Sequence, residues 1–350
     1  MLRHRLLIAL DSVGIDPLGH NRPDSVYSAS RFLFPAAHAG ETLPIDEAPF
    51  PGVLVETDVT GGAERGAIEC ALTYTSIFSG QSAISRHGMM DGLGLKEKLL
   101  EEMVREQNLF EHFENACLAN ALFPVHLPFL GGSYLQHELR HFTREQVESS
   151  LRFDGKPMTL RGGHKPGFAE LFTLAEINQN IFVYAAREAG VRLRTWEDVR
   201  RNEALTSSMT HELEARFSVE SFDESPLPLR TPEEAAAILA GLTRQHEFTF
   251  YKYQIPDLVS HTGRVELARE VFATIERFVF AVLELLDPDE TQVIVTSDHG
   301  HLEQVAYAHG HPKSKVPTWC FGPDAVQFAD RLRTPEGIFS VLTEPAGAMT

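Results

Sequence analysis

The chain has 350 residues, 43% of them apolar, which suffices for one large folded core with or without an inserted second part. Its formal net charge of −18 at pH 7 argues against nucleic acid and anionic membranes as partners, and three widely separated cysteines indicate no disulfide framework. No apolar run reaches the roughly 18 residues that a membrane span needs. The apolar start at residues 6–10 is too short for a signal peptide, so a cytoplasmic location is expected.

Three apolar, β-favouring runs of the chain each lead to an aspartate. Residues 6–10 lead into Asp11, residues 248–254 are followed closely by Asp257, and residues 293–297 lead into Asp298. Short apolar runs that are closed by turn residues are typical of buried parallel strands. Residues 53–58 and 316–321 indicate two further strands.

Helical patterns alternate with these strands. Residues 95–113 carry leucine and valine near helical spacing, and residues 266–286 predict a long helix that ends at an Asp-Pro pair. The alternation predicts an α/β fold with a mostly parallel sheet and helices on both faces. We assign residues 1–90 and 246–350 to this core, and residues 91–245 to an inserted or cap region that also contributes core helices.

The predicted strand ends bring acids and histidines together, because parallel strands present their carboxyl ends at one edge of the sheet. Crowded carboxylates repel one another unless cations neutralise them, and aspartate together with histidine suits zinc, manganese or iron better than calcium. Two divalent ions at such an edge would hold the attacking and leaving oxygens of a displacement. The candidate ligands are Asp11, Asp257, His261, Asp298, His299 and His311.

The order of these motifs resembles the alkaline phosphatase superfamily, in the metalloenzyme branch that includes cofactor-independent phosphoglycerate mutase. Residues 255–263, Ile-Pro-Asp-Leu-Val-Ser-His-Thr-Gly, are similar to the branch motif Asn-Pro-Asp-Met-Val-Gly-His-Thr-Gly. Residues 298–300 match the Asp-His-Gly signature, and His311 followed by Val316-Pro317 is similar to the late His-Thr-x-Asn-x-Val-Pro. The resemblance implies one metal on Asp257, His261 and His311, and a second on Asp11, Asp298 and His299.

The resemblance places Cys70 at the nucleophile position, where the branch has serine or threonine. A metal-bound thiolate would be both a ligand and a strong nucleophile. Sulfatases also have cysteine there, oxidised to formylglycine, but their Cys-x-Pro-Ser-Arg signal is absent. Thr73 and Thr75 are the alternative nucleophiles if the alignment shifts. Ser12 stands where the branch usually has glycine after the first aspartate.

Other polar residues carry weaker signals. Arg86, Lys165 and Lys252 are candidates for holding an anionic small-molecule substrate, although each could equally be a surface base. The loop histidines are expected at the surface and the two remaining cysteines in the core: His20, His87, His164, His309, Cys117 and Cys320.

Two enzymatic hypotheses and one non-enzymatic hypothesis follow. The leading one is a two-metal enzyme acting on a phosphoryl or phosphonyl ester of a small metabolite, with in-line attack by Cys70 or an activated water. The second is a specialised metalloenzyme, such as a sulfatase-like enzyme, phosphonate hydrolase or lyase, that uses Cys70 as a metal ligand. The third is a non-catalytic metal-bound family member. The sequence predicts neither substrate nor oligomeric state.

Overall fold

A computed structural model describes residues 2–20, 22–34, 42–45, 47–61, 70–88, 97–122, 152–153, 156–157, 181–211, 227, 229–306 and 312–344. The strands are β1 (His4–Leu10), β2 (Leu43–Ile45), β3 (Gly52–Thr57), β4 (Ala116–Leu118), β5 (Ala121–Leu122), β6 (Arg152–Phe153), β7 (Lys156–Pro157), β8 (Arg194–Thr195), β9 (Phe248–Tyr253), β10 (Thr291–Ser297) and β11 (Val316–Phe321). The α-helices are α1 (Cys70–Ser79), α2 (Ala83–His87), α3 (Glu97–Glu106), α4 (Ile181–Glu188), α5 (Trp196–Arg200), α6 (Pro232–Gln245), α7 (Ile255–Ser260), α8 (Val265–Leu285) and α9 (Pro335–Thr343).

Seven strands form the main sheet in the order β2-β3-β11-β10-β1-β9-β4. The block β10-β1-β9-β4 is parallel, whereas β11 runs antiparallel to both β10 and β3. β3 therefore runs in the same direction as the parallel block, and β2 is antiparallel to it. This mixed but mostly co-directional sheet with helices confirms the predicted α/β fold class.

Strand β1 lies at the centre of the sheet and is apolar along its length because both of its faces are covered. Leu6, Ile8 and Leu10 join the core on one face, and Leu7 and Ala9 join the core on the other. Helices α6 and α8 supply the first core. Helices α1, α3, α4 and α9 supply the second.

The bounds of one predicted helix agree with the structure, and those of another do not. The pattern over residues 266–286 matches α8, which spans Val265–Leu285. The pattern over residues 95–113 extends too far, because α3 ends at Glu106 and a separate 3₁₀ turn spans Leu109–His112. Asn108 begins that turn by accepting a hydrogen bond from the backbone N–H of Phe110 at 3.1 Å, and such local capping competes with continuation of a helix.

The region assigned to residues 91–245 contributes directly to the main sheet. Its strand β4 pairs with β9, and its helices α3, α4 and α6 cover the sheet faces. The division into core and cap stays a prediction.

No helix among the described residues is long and apolar enough to cross a membrane.

Candidate metal centre

The strand order determines which acids meet at the carboxyl edge of the sheet. Leu10 of β1 pairs with Ser297 of β10 on one side and with Tyr253 of β9 on the other. Asp11 and Asp298 therefore leave neighbouring strands at the same level. Asp257 follows β9 in the first turn of α7, a short distance beyond this edge.

The first cluster consists of Asp11, Cys70, Asp298 and His299, whose ligand-type atoms all lie within 4.8 Å of one another. Nε2 of His299 is 3.2 Å from Sγ of Cys70, 3.5 Å from Oδ1 of Asp11 and 3.9 Å from Oδ1 of Asp298. Sγ of Cys70 is 3.8 Å from Oδ1 of Asp11. One sulfur, one imidazole nitrogen and two carboxylates are a donor set typical of zinc and other transition-metal sites.

The electrostatics of this cluster favour a bound cation. Asp11 and Asp298 are buried to about 1% exposure or less, and burial together with the charge of Asp298 raises the pKa of Asp11 to about 7. Oδ2 of Asp298 is buried and has no hydrogen-bond partner among the described residues. A buried carboxylate oxygen without a donor is costly, and a metal ion at this position would satisfy it.

Cys70 is the first residue of α1 and is partly exposed, unlike the other members of its cluster. Burial and the carboxylates of Asp298 and Asp11 raise the pKa of its thiol well above the ordinary value. The protein's own side chains therefore hold Cys70 as a thiol. A metal ion would be needed to stabilise the thiolate.

The alternative nucleophiles point elsewhere in the same helix. The hydroxyl of Thr73 donates to the backbone carbonyl of Asp298 at 2.7 Å, and that of Thr75 donates to the carbonyl of Ala71 at 2.6 Å. Both side chains are buried. Thr73 thus fixes the loop that carries Asp298, and Thr75 is engaged within its helix.

The second cluster consists of Asp257, His261 and His301, again with ligand-type atoms within 4.8 Å of one another. Nε2 of His261 is 3.4 Å from Oδ1 of Asp257, and the rings of His261 and His301 meet edge to face at 4.7 Å between centroids. Nδ1 of His301 lies 2.8 Å from the hydroxyl of Ser260. The predicted ligand His311 lies outside the described residues.

Ser12 connects the two clusters. Its hydroxyl donates to Oδ1 of Asp257 and lies 3.2 Å from Nδ1 of His299, while its backbone N–H donates to Oδ1 of Asp298 at 3.2 Å. Its φ of 67° lies in the left-handed region that favours glycine. Serine at this position therefore adopts a backbone conformation that favours glycine, and it contributes a hydroxyl that glycine lacks.

Glu303 holds the two loops of the centre against each other. Its Oε2 accepts the backbone N–H groups of Gly14 and His301, each at 2.9 Å. A Cβ on Gly14 would lie 2.4 Å from this carboxylate, and one on Gly300 would lie 2.5 Å from it. Glycine at both positions allows this close approach.

The predicted substrate-binding residues lie in three different settings. Lys252 is 1% exposed, and its Nζ lies 2.8 Å from Oδ2 of Asp11 and 3.9 Å from Oδ2 of Asp298. Burial alone would lower the pKa of Lys252, but Asp11 and its neighbours outweigh burial and raise it. Arg86 is exposed and pairs with Glu106 at 2.6 Å. Lys165 lies outside the described residues.

The residues set apart from the centre were predicted with mixed success. Cys117 and Cys320 are completely buried, which confirms their assignment to the core. The surface assignment of His20 is wrong, because its ring is 2% exposed and stacks on Phe34 at 4.0 Å. His87 is half-buried, and His164 and His309 lie outside the described residues.

Sequence reasoning missed His301 and gave Lys252 a different role. His301 follows His299 by two residues, so its proximity in the chain was the available signal. Lys252 was proposed only for substrate, whereas the structure places its ammonium between the carboxylates of the first cluster.

Comparison with known proteins identifies a related sequence segment. Residues 228–342 match the family model described as the metalloenzyme superfamily. This segment contains the whole second cluster together with Lys252, Asp298 and His299, but neither Asp11 nor Cys70.

Curated relatives include 2,3-bisphosphoglycerate-independent phosphoglycerate mutases. That of Wolinella succinogenes is 32% identical over 109 residues, which are 30% of this chain and 22% of that protein. That of Sulfurimonas denitrificans is 28% identical over 109 residues, with the same coverage of both chains. The alignment thus spans about a fifth of the length of these relatives.

Solved structures that match this chain include the PH0037 protein of Pyrococcus horikoshii. The match has a TM-score of 0.49 and 16% sequence identity, and it covers 99% of this chain and 100% of that chain. A Leishmania mexicana phosphoglycerate mutase has a TM-score of 0.40 and 12% identity over 100% and 97% of the two chains.

Proposed function

We propose that this chain, which belongs to the metalloenzyme branch of the alkaline phosphatase superfamily, is a two-metal enzyme that transfers or hydrolyses a phosphoryl or phosphonyl-type ester of a small anionic metabolite. The observation that carries the proposal is the meeting of two ligand clusters at one sheet edge, joined by Ser12. One cluster contains sulfur, nitrogen and oxygen donors, and the other contains one carboxylate and two imidazoles.

The donor sets fit zinc, manganese or iron. Asp11, Cys70, Asp298 and His299 would hold one ion, and Asp257, His261 and His301 the other, with His311 as an expected fourth ligand. The Oδ2 of Asp298 has no hydrogen-bond donor among the described residues, and the pKa of Asp11 is raised even though Lys252 lies 2.8 Å away, so both support a further cation at this cluster. Bound ions would polarise the ester oxygens and neutralise charge that develops on them.

The chain's own groups would orient the substrate and the attacking group. Cys70 is the partly exposed member of its cluster and begins α1, where the positive end of the helix dipole favours an approaching anion. Lys252 forms a buried ion pair with Asp11 and keeps a positive charge beside the first cluster. Nε2 of His299 lies 3.2 Å from Sγ of Cys70 and within 3.9 Å of both aspartates.

Two roles for Cys70 fit this geometry. As a nucleophile, its thiolate would attack in line with the leaving oxygen, and Cys70 is the partly exposed member of its cluster. As a permanent ligand, it would leave the attack to an activated water, and the contacts with His299 and Asp11 favour this second candidate as well. Formylglycine formation is disfavoured because Leu72 and the residues after it do not form the maturation signal.

The proposal is tested by turnover of a panel of phosphomonoesters, phosphonates and sulfate esters before and after chelation. We expect turnover of at least one phosphorus ester, loss of that turnover on metal removal, and recovery when zinc, manganese or iron is restored. Full turnover by the metal-free protein would refute the two-metal mechanism. No turnover by the metal-loaded protein would favour the non-catalytic hypothesis, and the mass of the Cys70 peptide separately reports formylglycine.

A further inference from the structure

A second charged site lies away from the metal centre, in a cleft of about 940 Å³ between α6 and the segment around α5. We call it the arginine cleft, and we propose that it binds a small molecule that carries a phosphate group. No ligand-type residue of the metal centre lines it. Its charged side chains are those of Arg192, Arg194, Arg200, Glu203, Arg230 and Glu234.

Arg194 supplies a deeply buried positive charge to the arginine cleft. It is 6% exposed, and its Nε and Nη1 donate to the backbone carbonyls of Glu203 and Leu118 at 2.8 and 3.0 Å. Both acceptors are neutral, and no carboxylate of the described residues forms an ion pair with this guanidinium. A buried cation without a paired anion is unfavourable, so an anionic ligand would supply the missing charge.

Arg230 is half-buried and offers a second guanidinium to the cleft. Its Nη2 donates to the carbonyl of Val199 at 2.7 Å and to Oδ1 of Asn202 at 2.8 Å. Its Nη1 is buried and has no hydrogen-bond partner among the residues that the structure describes. This donor is therefore available to an oxyanion, and such charge-assisted hydrogen bonds are stronger than neutral ones.

The acids in and beside the arginine cleft are already engaged. Oε2 of Glu234 accepts the backbone N–H of Thr231 at 2.8 Å in the cap of α6. Glu203 pairs with Arg201 at 3.3 Å, outside the cleft lining. Arg192 pairs with Asp198 at 2.5 Å and Arg200 pairs with Glu197 at 3.7 Å, so Arg194 and Arg230 are the lining guanidiniums with no carboxylate partner among the described residues.

The lining of the arginine cleft also bears on the rest of the ligand. It includes the apolar side chains of Leu229, Ala237, Ile238 and Leu242. Guanidinium forks bind phosphate oxygens in a bidentate manner, while apolar lining residues accommodate a ring or hydrocarbon body. The expected ligand therefore has a phosphate group at one end and a less polar body at the other.

Gly241 allows a direct test, because it lines the arginine cleft within α6 and a Cβ added there meets no atom within 4 Å. Gly241→Glu adds a negative charge to the cleft, and Gly241→Gln adds a side chain of matching size without the charge. Calorimetric titration of the full chain with ADP and with pyrophosphate is expected to give saturable binding. The Glu variant should lose about tenfold or more of the Gln variant's affinity, since each lost charge-assisted contact has about this effect.

Further variants separate this site from the metal centre. Arg230→Gln should weaken binding similarly, because it removes the unpaired Nη1 donor. Arg105→Gln on the exposed face of α3 should not weaken it, and Asp298→Asn in the metal centre should leave the cleft affinity unchanged. The proposal is overturned if wild-type protein shows no binding at millimolar probe, if the two Gly241 variants bind alike, or if only Asp298→Asn abolishes binding. None of these results depends on turnover, so this proposal can fail while the proposed function stands.

Discussion

Asp298→Asn is expected to abolish measurable turnover and to weaken metal binding at the first cluster by well over 100-fold. Even residues that only support a ligand cost about 10- to 100-fold in metal affinity, and Asp298 would be a ligand itself. Its Oδ2 is the buried oxygen without a donor, and its Oδ1 already accepts two backbone N–H groups. The amide removes the negative charge while it keeps the size of the side chain.

A matched control is Asp330→Asn, because the Asp330 side chain is 93% exposed and pairs with Arg333 at 3.3 Å. The control should retain the wild-type metal content and turnover. Metal affinity is measured by competition with a chromophoric chelator, and turnover on the ester that the wild-type protein uses best. Unchanged metal affinity in Asp298→Asn would remove this residue from the ligand set.

Cys70→Ser and Cys70→Ala are expected to separate the two roles of the thiol. If Cys70 is the nucleophile, Cys70→Ala loses all turnover, whereas Cys70→Ser retains a reduced level because a metal-bound hydroxyl can still attack. If Cys70 is only a ligand, Cys70→Ala retains turnover at saturating metal and shows weaker binding of one ion. In either case metal affinity falls in Cys70→Ala, since Sγ lies 3.2 Å from Nε2 of His299.

Thr75→Ala is the control for this pair. Its hydroxyl is directed at the carbonyl of Ala71 within α1 and not at the cluster, so we expect wild-type turnover and metal content. Wild-type metal affinity in Cys70→Ala would contradict placement of the sulfur in the metal site. Loss of turnover in Thr75→Ala with the fold preserved would instead revive the shifted alignment of the nucleophile.

The convergence of acids at one sheet edge could be predicted because the signals are local. Uninterrupted apolar runs before Asp11 and Asp298 indicate buried parallel strands, and parallel strands bring their carboxyl ends together by geometry alone. Ser12 was also noticeable in the sequence, because it replaces the glycine that usually follows the first aspartate. In the structure it adopts a left-handed backbone conformation, and its hydroxyl joins the two clusters.

Other features depend on tertiary packing and leave little trace in the sequence. His301 approaches His261 only because α7 packs against the loop after β10, and no spacing rule encodes that contact. Lysine is normally solvated, so a completely buried Lys252 between aspartates runs against the compositional expectation. The arginine cleft combines residues 192–203 with residues 229–246, and neither segment is distinctive alone.

The metal content of wild-type protein purified without added metal is the decisive measurement for the proposed two-metal mechanism. We expect about two equivalents of zinc, manganese or iron per chain, with one ion lost selectively in Asp298→Asn and the other in His261→Ala. No bound metal, together with no change in stability or spectrum when these metals are added, would mean that the two clusters are not metal sites and would contradict the proposed mechanism.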